Sequence, residues 1–377
     1  MAFIEKQAYM LDFTLSSLVR RKGKNVSLLV VYTFMVFLIG SVILFTDAVK
    51  REAILVLADA PEIMVQKITA GRHDLIPVSY IEAIAGIRGV RSVNARLWGY
   101  YYDATNGANY TVMANDSVCP TRGAVSIGSG VARNLPVGEN GTIPFKACDG
   151  SYVFLTIKDI LSPGSELVTA DLVVVSEEDF RTIFGIPVGY ATDLALTVGN
   201  TRELPTIAAK IAQVLPDSRP ILRDEIIRTY EALFDWRGGL VVAILGGAIL
   251  AFMILAWDKA TGLSGEEKKE IGILKGLGWD VSDVLLMKFW EGACISLSAF
   301  LVGIVLAYAH VFLGSAVVFE PVLKGWSVLY PHFRLTPYID GYHLACLFFL
   351  IVVPYTVATV VPSWRAATID PDSIMRT

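Results

Sequence analysis

Charged residues are scarce in this chain of 377 residues. Asp, Glu, Lys and Arg make up 18% of it and hydrophobic residues make up 54%, whereas an ordinary soluble domain carries about 25% charged residues. The composition therefore predicts a membrane protein. The net charge is −4 and no basic stripe is evident, which argues against nucleic acid as a partner.

Catalytic signatures are lacking as well. The sequence has no P-loop of the form G-x-x-x-x-G-K-[ST], no H-E-x-x-H and no C-x-x-C. The segment "IGSGV" lacks the glycine two places before Ser129 that a G-x-S-x-G nucleophile elbow needs. We therefore expect this chain to have no enzyme activity of its own, no cofactor and no ATP site of the usual kind.

Histidine and cysteine are few and scattered along the chain. A metal-handling domain that uses His73, Met113, Cys119 and Cys148 is one alternative, but the irregular spacing of these residues argues against it. Cys119 and Cys148 could instead form a disulfide in an oxidising compartment. The sequence does not give the Cα separation that a disulfide requires, so this pairing stays open.

Long apolar runs, in contrast, are abundant. Crossing a hydrocarbon core of about 30 Å takes roughly 20 apolar residues in a helix. Four stretches qualify: 27–46, 239–257, about 293–319 and about 341–361. We expect the first to remain as an anchor and Pro354 to kink the fourth. The four stretches contain no Asp, Glu, Lys or Arg, which argues against a transporter driven by an ion gradient.

The distribution of Lys and Arg predicts the orientation of these stretches. Basic residues are concentrated in the N-terminal tail and in the 258–292 loop, whereas the 320–340 loop has only two. The positive-inside rule then places both termini and the 258–292 loop in the cytoplasm. Residues 48–238, together with the short 320–340 loop, would lie outside, and residues 362–377 would form a cytoplasmic tail.

The pattern of the large external segment predicts an α+β domain. "VSYIEAIAGI" and "RELPTIAAKIAQVL" have helical patterns, whereas "NYTVMA", "SYVFLTI", "ADLVVVS" and "DLALTVG" are short and β-rich. The region from about 115 to 164 is richer in strands and turns than its flanks, which indicates an inserted subdomain. The predicted fold is four transmembrane helices with a large α+β extracytoplasmic domain between the first and second.

The N-terminal residues 1–26 have an amphipathic pattern. Apolar residues recur at intervals of three and four: Ile4, Ala8, Leu11, Leu15 and Leu18. We expect an interfacial helix on the cytoplasmic leaflet, followed by the basic "RRKGK" cluster that can contact anionic lipids. A soluble flap with the same pattern is the alternative.

The 258–292 loop is predicted to form a helical hairpin. In "GEEKKEIGILKGLG", Ile271 and Leu274 would form a short apolar edge beside the charged residues. Gly276 and Gly278 would end this helix, and Asp280 or Ser282 would cap the next. A solvated loop whose charges only enforce topology is the simpler alternative.

Small residues at intervals of four mark two helix-packing stripes. They are Ala243, Gly247 and Ala251 on the second stretch and Ala299, Gly303 and Ala307 on the third. Such stripes allow close approach of helices. Intramolecular packing and dimer contacts are equally good explanations at this stage.

The hairpin resembles the corresponding segment of FtsX-like and MacB-like (type VII) ABC transporter permeases. The residues that fall on the family pattern are Glu270, Ile271, Gly272, Leu274, Lys275, Leu277, Gly278 and Glu291. Near the C-terminus, Pro362, Arg365, Ala366, Ala367 and Pro371 match the family's closing segment. MacB itself carries a fused nucleotide-binding domain, which this chain lacks.

The resemblance implies a multi-pass permease subunit of the bacterial plasma (inner) membrane. It would pair with a second permease copy or paralogue, with separate ABC ATPase subunits, and with a membrane-fusion or other extracytoplasmic protein. ATP-driven motion would pass through the hairpin to the outer domain, which exports or extracts a substrate. The alternative is an FtsX-like signalling or scaffold subunit that activates an outer hydrolase or sensor. The implied ATPase-coupling residues are Glu266, Glu267, Lys268, Lys269, Glu270, Ile271, Gly272, Leu274, Lys275 and Gly278.

Overall fold

A computed structural model describes residues 2–58, 60–135, 138, 140–161, 169–232, 243, 246–247, 250, 265–319, 328–329 and 335–368. The chain divides into two compact units. The helical unit comprises Met1–Ala48, Phe234–Val317 and Thr336–Thr377, and the α+β unit comprises Val49–Leu233 and Val318–Leu335.

The helices are α1 (Ala2–Arg20), α2 (Lys22–Ala58), α3 (Tyr80–Ala85), α4 (Ser129–Asn134), α5 (Glu177–Phe184), α6 (Leu204–Val214), α7 (Gly265–Gly276), α8 (Val281–Tyr308) and α9 (Gly341–Thr368). A 3₁₀ turn, Thr201–Glu203, precedes α6, and a π-helical turn, Ala309–Leu313, extends α8.

Three helices in the described part of the chain are long and apolar enough to cross a membrane. They are Asn25–Ala58, Val281–Leu313 and Gly341–Val360, so the prediction of four such helices is confirmed for three. The remaining stretch, 239–257, lies almost entirely outside the described residues. The α+β domain is confirmed as well.

The helices are longer than the apolar stretches from which they were predicted. α2 continues to Ala58, α8 begins at Val281, and α9 runs past Pro354 to Thr368. Hydropathy marks the part of a helix that suits lipid, whereas a helix ends where its backbone groups find other partners. Residues 48–58 and 362–368, assigned from the sequence to the outer domain and to the tail, therefore continue helices.

The helical unit is held together by contacts among α2, α8 and α9. Its buried core contains Tyr32, Val36 and Ile39 from α2, Ile295, Ala299 and Phe300 from α8, and Leu347, Ile351, Val352 and Tyr355 from α9. Tyr32 and Tyr355 bring their ring centroids within 4.6 Å of each other.

The small residues of α8 are part of this packing. A Cβ atom on Gly303 would lie 2.6 Å from Val36 Cβ, and one on Gly40 would lie 3.2 Å from Ala307 Cβ. Ala299 and Ala307 are fully buried. The stripe of Ala299, Gly303 and Ala307 thus serves intramolecular packing. In the stripe of Ala243, Gly247 and Ala251, Ala243 and Gly247 are exposed and Ala251 lies outside the described residues. The role of this stripe stays a prediction.

The strands of the α+β unit are β1 (Ile63–Thr69), β2 (Arg72–Asp74), β3 (Ile76–Pro77), β4 (Val90–Arg96), β5 (Trp98–Asp103), β6 (Ala108–Ala114), β7 (Ala124–Ile127), β8 (Thr142–Lys146), β9 (Tyr152–Ile160), β10 (Leu172–Val175), β11 (Tyr190–Ala191), β12 (Asp193–Val198) and β13 (Ser218–Leu222).

Two sheets with separate cores make up the α+β unit. The first has the order β13-β1-β12-β4, with β2 beside β1, and the second has the order β5-β6-β10-β7-β9-β8; β3 and β11 form a separate pair. The first core includes Val65, Leu196 and Ile211. The second includes Val112, Phe180 and Leu329, the last from the chain between α8 and α9.

The second sheet is an insertion into the first. β4 and β12 are antiparallel neighbours with Arg96 opposite Asp193, and all six strands of the second sheet lie between them in the chain. The insertion therefore spans 98–175 rather than the predicted 115–164, because β10 pairs with β7 of that range, β6 pairs with β10, and β5 pairs with β6. At the junction, Arg96 Nε and Nη2 each donate to buried Asp193 at 2.7 Å, and Trp98 Nε1 donates to the same carboxylate at 2.9 Å.

The proposed disulfide is not formed in the structure. Cys119 is buried and Cys148 is exposed, and both are free thiols. Different segments hold them: the Cys119 N–H donates to Asn115 O, and the Cys148 N–H donates to Ile183 O. Burial raises the pKa of the Cys119 thiol, so this side chain behaves as an inert part of the packing.

Candidate functional site

The hairpin consists of α7, the turn 277–280 and the first turns of α8. α7 ends at Gly276, as the sequence predicts. Gly278 has a φ of +94°, a conformation that glycine adopts without steric cost. Its N–H donates to Lys275 O at 3.0 Å, and the Trp279 N–H donates to Leu274 O at 3.1 Å. These two bonds form a Schellman motif that fixes the direction of the chain after α7.

α8 begins with a capping box at Asp280. The Asp280 N–H donates to Asp283 Oδ2 at 3.4 Å, in the reciprocal arrangement typical of this motif. Of the two caps considered from the sequence, Asp280 is the one used. The end of α7 and the start of α8 are therefore both fixed by local hydrogen bonds, with only the residues 277–280 between them.

The apolar residues of α7 lie inside the hairpin. Ile271 and Leu274 are 1% and 6% exposed, and Ile271 packs with Val281 and Val284 of α8. Ile271 and Leu274 therefore do not form an exposed apolar edge, and α8 covers Ile271. Their place among the implied coupling residues stays a prediction. The exposed apolar residues are Ile273 and Leu277, at 57% and 74%.

Glu270 connects the hairpin to the N-terminal segment. Arg21 donates from Nη2 to Glu270 Oε2, and Arg20 Nη2 lies 3.9 Å from the other carboxylate oxygen. Glu270 and Arg21 are both about three-quarters buried, which favours the ion pair over a fully exposed one. Glu266, Glu267, Lys268 and Lys269 are helical, and their side chains lie outside the described part of the structure.

Further contacts bind α1 to the hairpin. Lys6 Nζ lies 2.6 Å from Asp283 Oδ1. The Trp290 indole N–H donates to Gln7 Oε1 at 2.8 Å. The rings of Phe13 and Trp279 are 5.2 Å apart between centroids, and the Arg20 guanidinium lies over Phe13. α1 therefore packs along the hairpin and the start of α8, and we call it the N-terminal brace.

The contacts of the N-terminal brace change the expectation of a separate interfacial helix. The predicted helix is present, but its polar residues Lys6 and Gln7 are used in contacts with α8 instead of facing only solvent. Ile4 and Leu15 of the predicted apolar face remain exposed. Sequence reasoning missed these contacts because the partners are separated by more than 260 positions, as in Phe13 and Trp279, and no local pattern relates them.

A buried ion pair lies where α8 enters its apolar part. Lys288 is 7% exposed, and its Nζ lies 2.6 Å from Glu291 Oε2. A buried ammonium group without a counter-charge is strongly destabilising. Glu291, which was singled out only by resemblance, thus has a structural role as the partner of Lys288.

Residues 239–371 match the family model described as FtsX-like permease C-terminal. The C-terminal region is similar to the FtsX-like permease domain over these residues. The resemblance carried by the hairpin is thereby confirmed. α7, α8 and α9 all lie within the matched region, whereas α1 and its contact residues Lys6, Gln7 and Phe13 precede it.

Two solved structures are similar to parts of this chain. One is the extracellular domain of the noncanonic ABC-type transporter YknZ from Gram-positive bacteria, with 13% identity and a TM-score of 0.31, covering 42% of this chain and 98% of that one. The other is the periplasmic region of MacB from Actinobacillus actinomycetemcomitans, with 9% identity and a TM-score of 0.31, covering 45% of this chain and 92% of that one. No curated protein matches the sequence.

Proposed function

We propose that this chain is the permease subunit of an ABC transporter and that its hairpin receives the motion of a separate ATPase. The observation that carries this proposal is the hairpin of the FtsX-like domain, which has a packed interior and two exposed apolar residues, Ile273 and Leu277. An exposed apolar pair beside charged residues suits a specific protein contact, because burial supplies affinity and charge supplies partner choice.

The rigidity of the hairpin supports a mechanical role. Force applied to α7 passes into α8 through the Schellman turn, the capping box and the Ile271 packing. α8 then continues as one helix of 28 residues, about 42 Å at 1.5 Å per residue. The apolar stretches carry no Asp, Glu, Lys or Arg, so they offer no charged residues along which a polar solute could pass. Transmission of motion therefore explains their role better than passage of a solute. The outer α+β domain would receive this motion and act on the substrate.

The proposal includes the remaining assignments from the sequence. Both termini and the hairpin lie in the cytoplasm of a bacterium, and the α+β unit lies outside the inner membrane. ATP is hydrolysed by the partner, because this sequence has no P-loop. A second permease copy or paralogue completes the complex, and a membrane-fusion or other extracytoplasmic protein contacts the α+β unit.

The test is co-purification of the tagged full chain from its native membrane. We expect an ATPase to co-purify with the unaltered chain and to be lost with Leu277→Asp. Burial of a leucine side chain contributes about 1.5–3 kcal/mol, so replacing it by a carboxylate should weaken the complex by tenfold or more.

Val188→Asp is the matched control for this experiment. Val188 is an apolar residue of the α+β unit that is even more exposed than Leu277, and its substitution should leave ATPase recovery unchanged. Full recovery of the ATPase with Leu277→Asp and with Ile273→Asp, in protein that is normally inserted, would show that the hairpin is not the contact.

A further inference from the structure

A groove of about 290 Å³ lies between α1, α2 and α8. Its apolar lining comes from all three helices and includes Leu15, Val19, Val26, Leu29 and Ile295. Ser298, which is exposed, lies on its α8 side. Val19 and Val26 are also exposed, so the groove opens to the surroundings of the helical unit. It is separate from the hairpin contacts that support the proposed function.

The groove forms where α1 and α2 meet at a break in the helix. α1 ends at Arg20 and α2 begins at Lys22. The Asn25 side chain donates from Nδ2 to Leu18 O at 2.9 Å, which satisfies one of the carbonyl groups left at the end of α1. Because Asn25 already donates a hydrogen bond to the Leu18 carbonyl group, this polar group does not face the groove unpaired, and the remaining surface of the groove is mostly apolar.

The position of the groove relative to the first apolar helix indicates its surroundings. The helix segment that is long and apolar enough to cross a membrane begins at Asn25, and Val26 and Leu29 lie inside it. Lys22 is three residues earlier, about 4.5 Å along the helix axis. The apolar part of the groove therefore lies at the edge of the hydrocarbon region, and Lys22 lies at the level of the lipid headgroups.

The charged residue in the described lining of the groove is positive. Lys22 lies at the rim of the groove and is exposed. The described lining of the groove includes no Asp or Glu. An apolar groove with a cationic rim at the level of the headgroups is complementary to a lipid that has an acyl chain and a negatively charged phosphate.

We propose that this groove holds one acyl chain of an anionic phospholipid, with the phosphate beside Lys22. The inference goes beyond the proposed function, since it requires insertion in a membrane but no ATPase. The bound lipid would fill the space between the break and α8, and it would order the junction from which the N-terminal brace extends.

The experiment measures retained lipid by native mass spectrometry of the full chain. The protein is purified in detergent and exposed to equal amounts of phosphatidylglycerol and phosphatidylcholine. We expect one phosphatidylglycerol molecule to be retained in preference. Lys22→Gln should reduce that preference about fivefold, because one basic residue near an anionic surface contributes about 1 kcal/mol. Ser298→Trp should reduce retention of both lipids, because the indole ring occupies the groove.

Three controls make the result specific. Arg88→Gln removes an exposed positive charge from the α+β unit and should leave retention unchanged, as should Ser298→Ala. Soluble glycerol 3-phosphate should not displace the lipid, because it has no acyl chain.

Three results of the lipid measurements would overturn the proposal. They are equal retention of the two lipids by the unaltered chain, unchanged retention by both Lys22→Gln and Ser298→Trp, and displacement by glycerol 3-phosphate. A change of oligomeric state in Ser298→Trp without any change in lipid would also overturn it, since the groove would then be a contact between copies.

Discussion

The packing of α1 on the hairpin predicts that Trp279→Ala will loosen the N-terminal helix. In the structure the Trp279 ring lies 5.2 Å from that of Phe13, and such pairs contribute about 0.5–1.5 kcal/mol beyond the burial of their area. Loss of this ring interaction should raise the fraction of molecules in which α1 is detached from the hairpin about twofold to tenfold, since about 1.4 kcal/mol corresponds to a factor of ten.

Limited digestion with trypsin measures this opening directly. Arg20 and Arg21 lie at the junction between α1 and α2, and cleavage there requires local unfolding. At low protease, the rate follows the equilibrium population of the open form. The full chain with Trp279→Ala should therefore lose its N-terminal segment about twofold to tenfold faster than the unaltered chain.

A double-mutant cycle separates the ring contact from other effects. Phe13→Ala also removes the contact of the Arg20 guanidinium with the ring, so the single variant alone is not decisive. The double variant should be cleaved more slowly than the sum of the two single effects predicts, by the same 0.5–1.5 kcal/mol or so. Tyr9→Ala, at an exposed position of α1, is the control. Strictly additive effects, or an unchanged rate in Trp279→Ala, would refute the idea of a brace.

Three further predictions concern other parts of the molecule. Gly303→Ala should lower the thermal stability of the purified chain, by about 1–3 kcal/mol, because the new Cβ would lie 2.6 Å from Val36 Cβ. Burial acts to raise the pKa of Asp103, but hydrogen bonds from neighbours outweigh it and the pKa is lowered overall. The Asp103 carboxylate thus stabilises the folded chain at neutral pH, and this contribution is lost as the pH falls below about 4. Asp103→Asn should therefore reduce the fall in melting temperature with decreasing pH in this range. Maleimide should label exposed Cys148 in the folded chain and Cys119 only after unfolding.

Hydropathy was sufficient to find the apolar helices that the structure describes, but not their ends. The run 27–46 marked α2, yet α2 continues to Ala58 through Lys50 and Arg51. Charged residues exclude a segment from the hydrocarbon region without breaking the helix. The length of such a helix and the thickness of the hydrocarbon region are therefore different quantities. The hydropathy pattern reports the thickness and not the helix length.

The burial of Ile271 and Leu274 is the part of the hairpin that the sequence did not predict. The spacing of Ile271 and Leu274 places them on one face of α7, and that part of the prediction holds. The spacing does not say what covers the face. In the structure Val281 and Val284 of α8 pack against Ile271, because the Schellman turn at Gly278 folds the two helices against each other. The exposed residue Leu277 matched the family pattern, yet it was left out of the implied coupling set.

The limits of the inserted subdomain show a similar difference between local and distant information. Turn-rich sequence suggested about 115–164, and the strands in that range are indeed present. The true insertion also takes in β5 and β6, since β6 pairs in parallel with β10. Parallel pairing joins segments that are far apart in the chain, so composition in a window does not reveal it.

The location of the brace has a practical consequence for protein engineering. Residues 239–371 look like a module that could be exchanged between related chains, yet Glu270, Trp279, Asp283 and Trp290 meet partners in the first 21 residues. A chimera cut at the module boundary would leave four mismatched contacts behind. Grafting residues 2–21 together with the module should restore them, which makes the two segments one unit of exchange despite their distance in the chain.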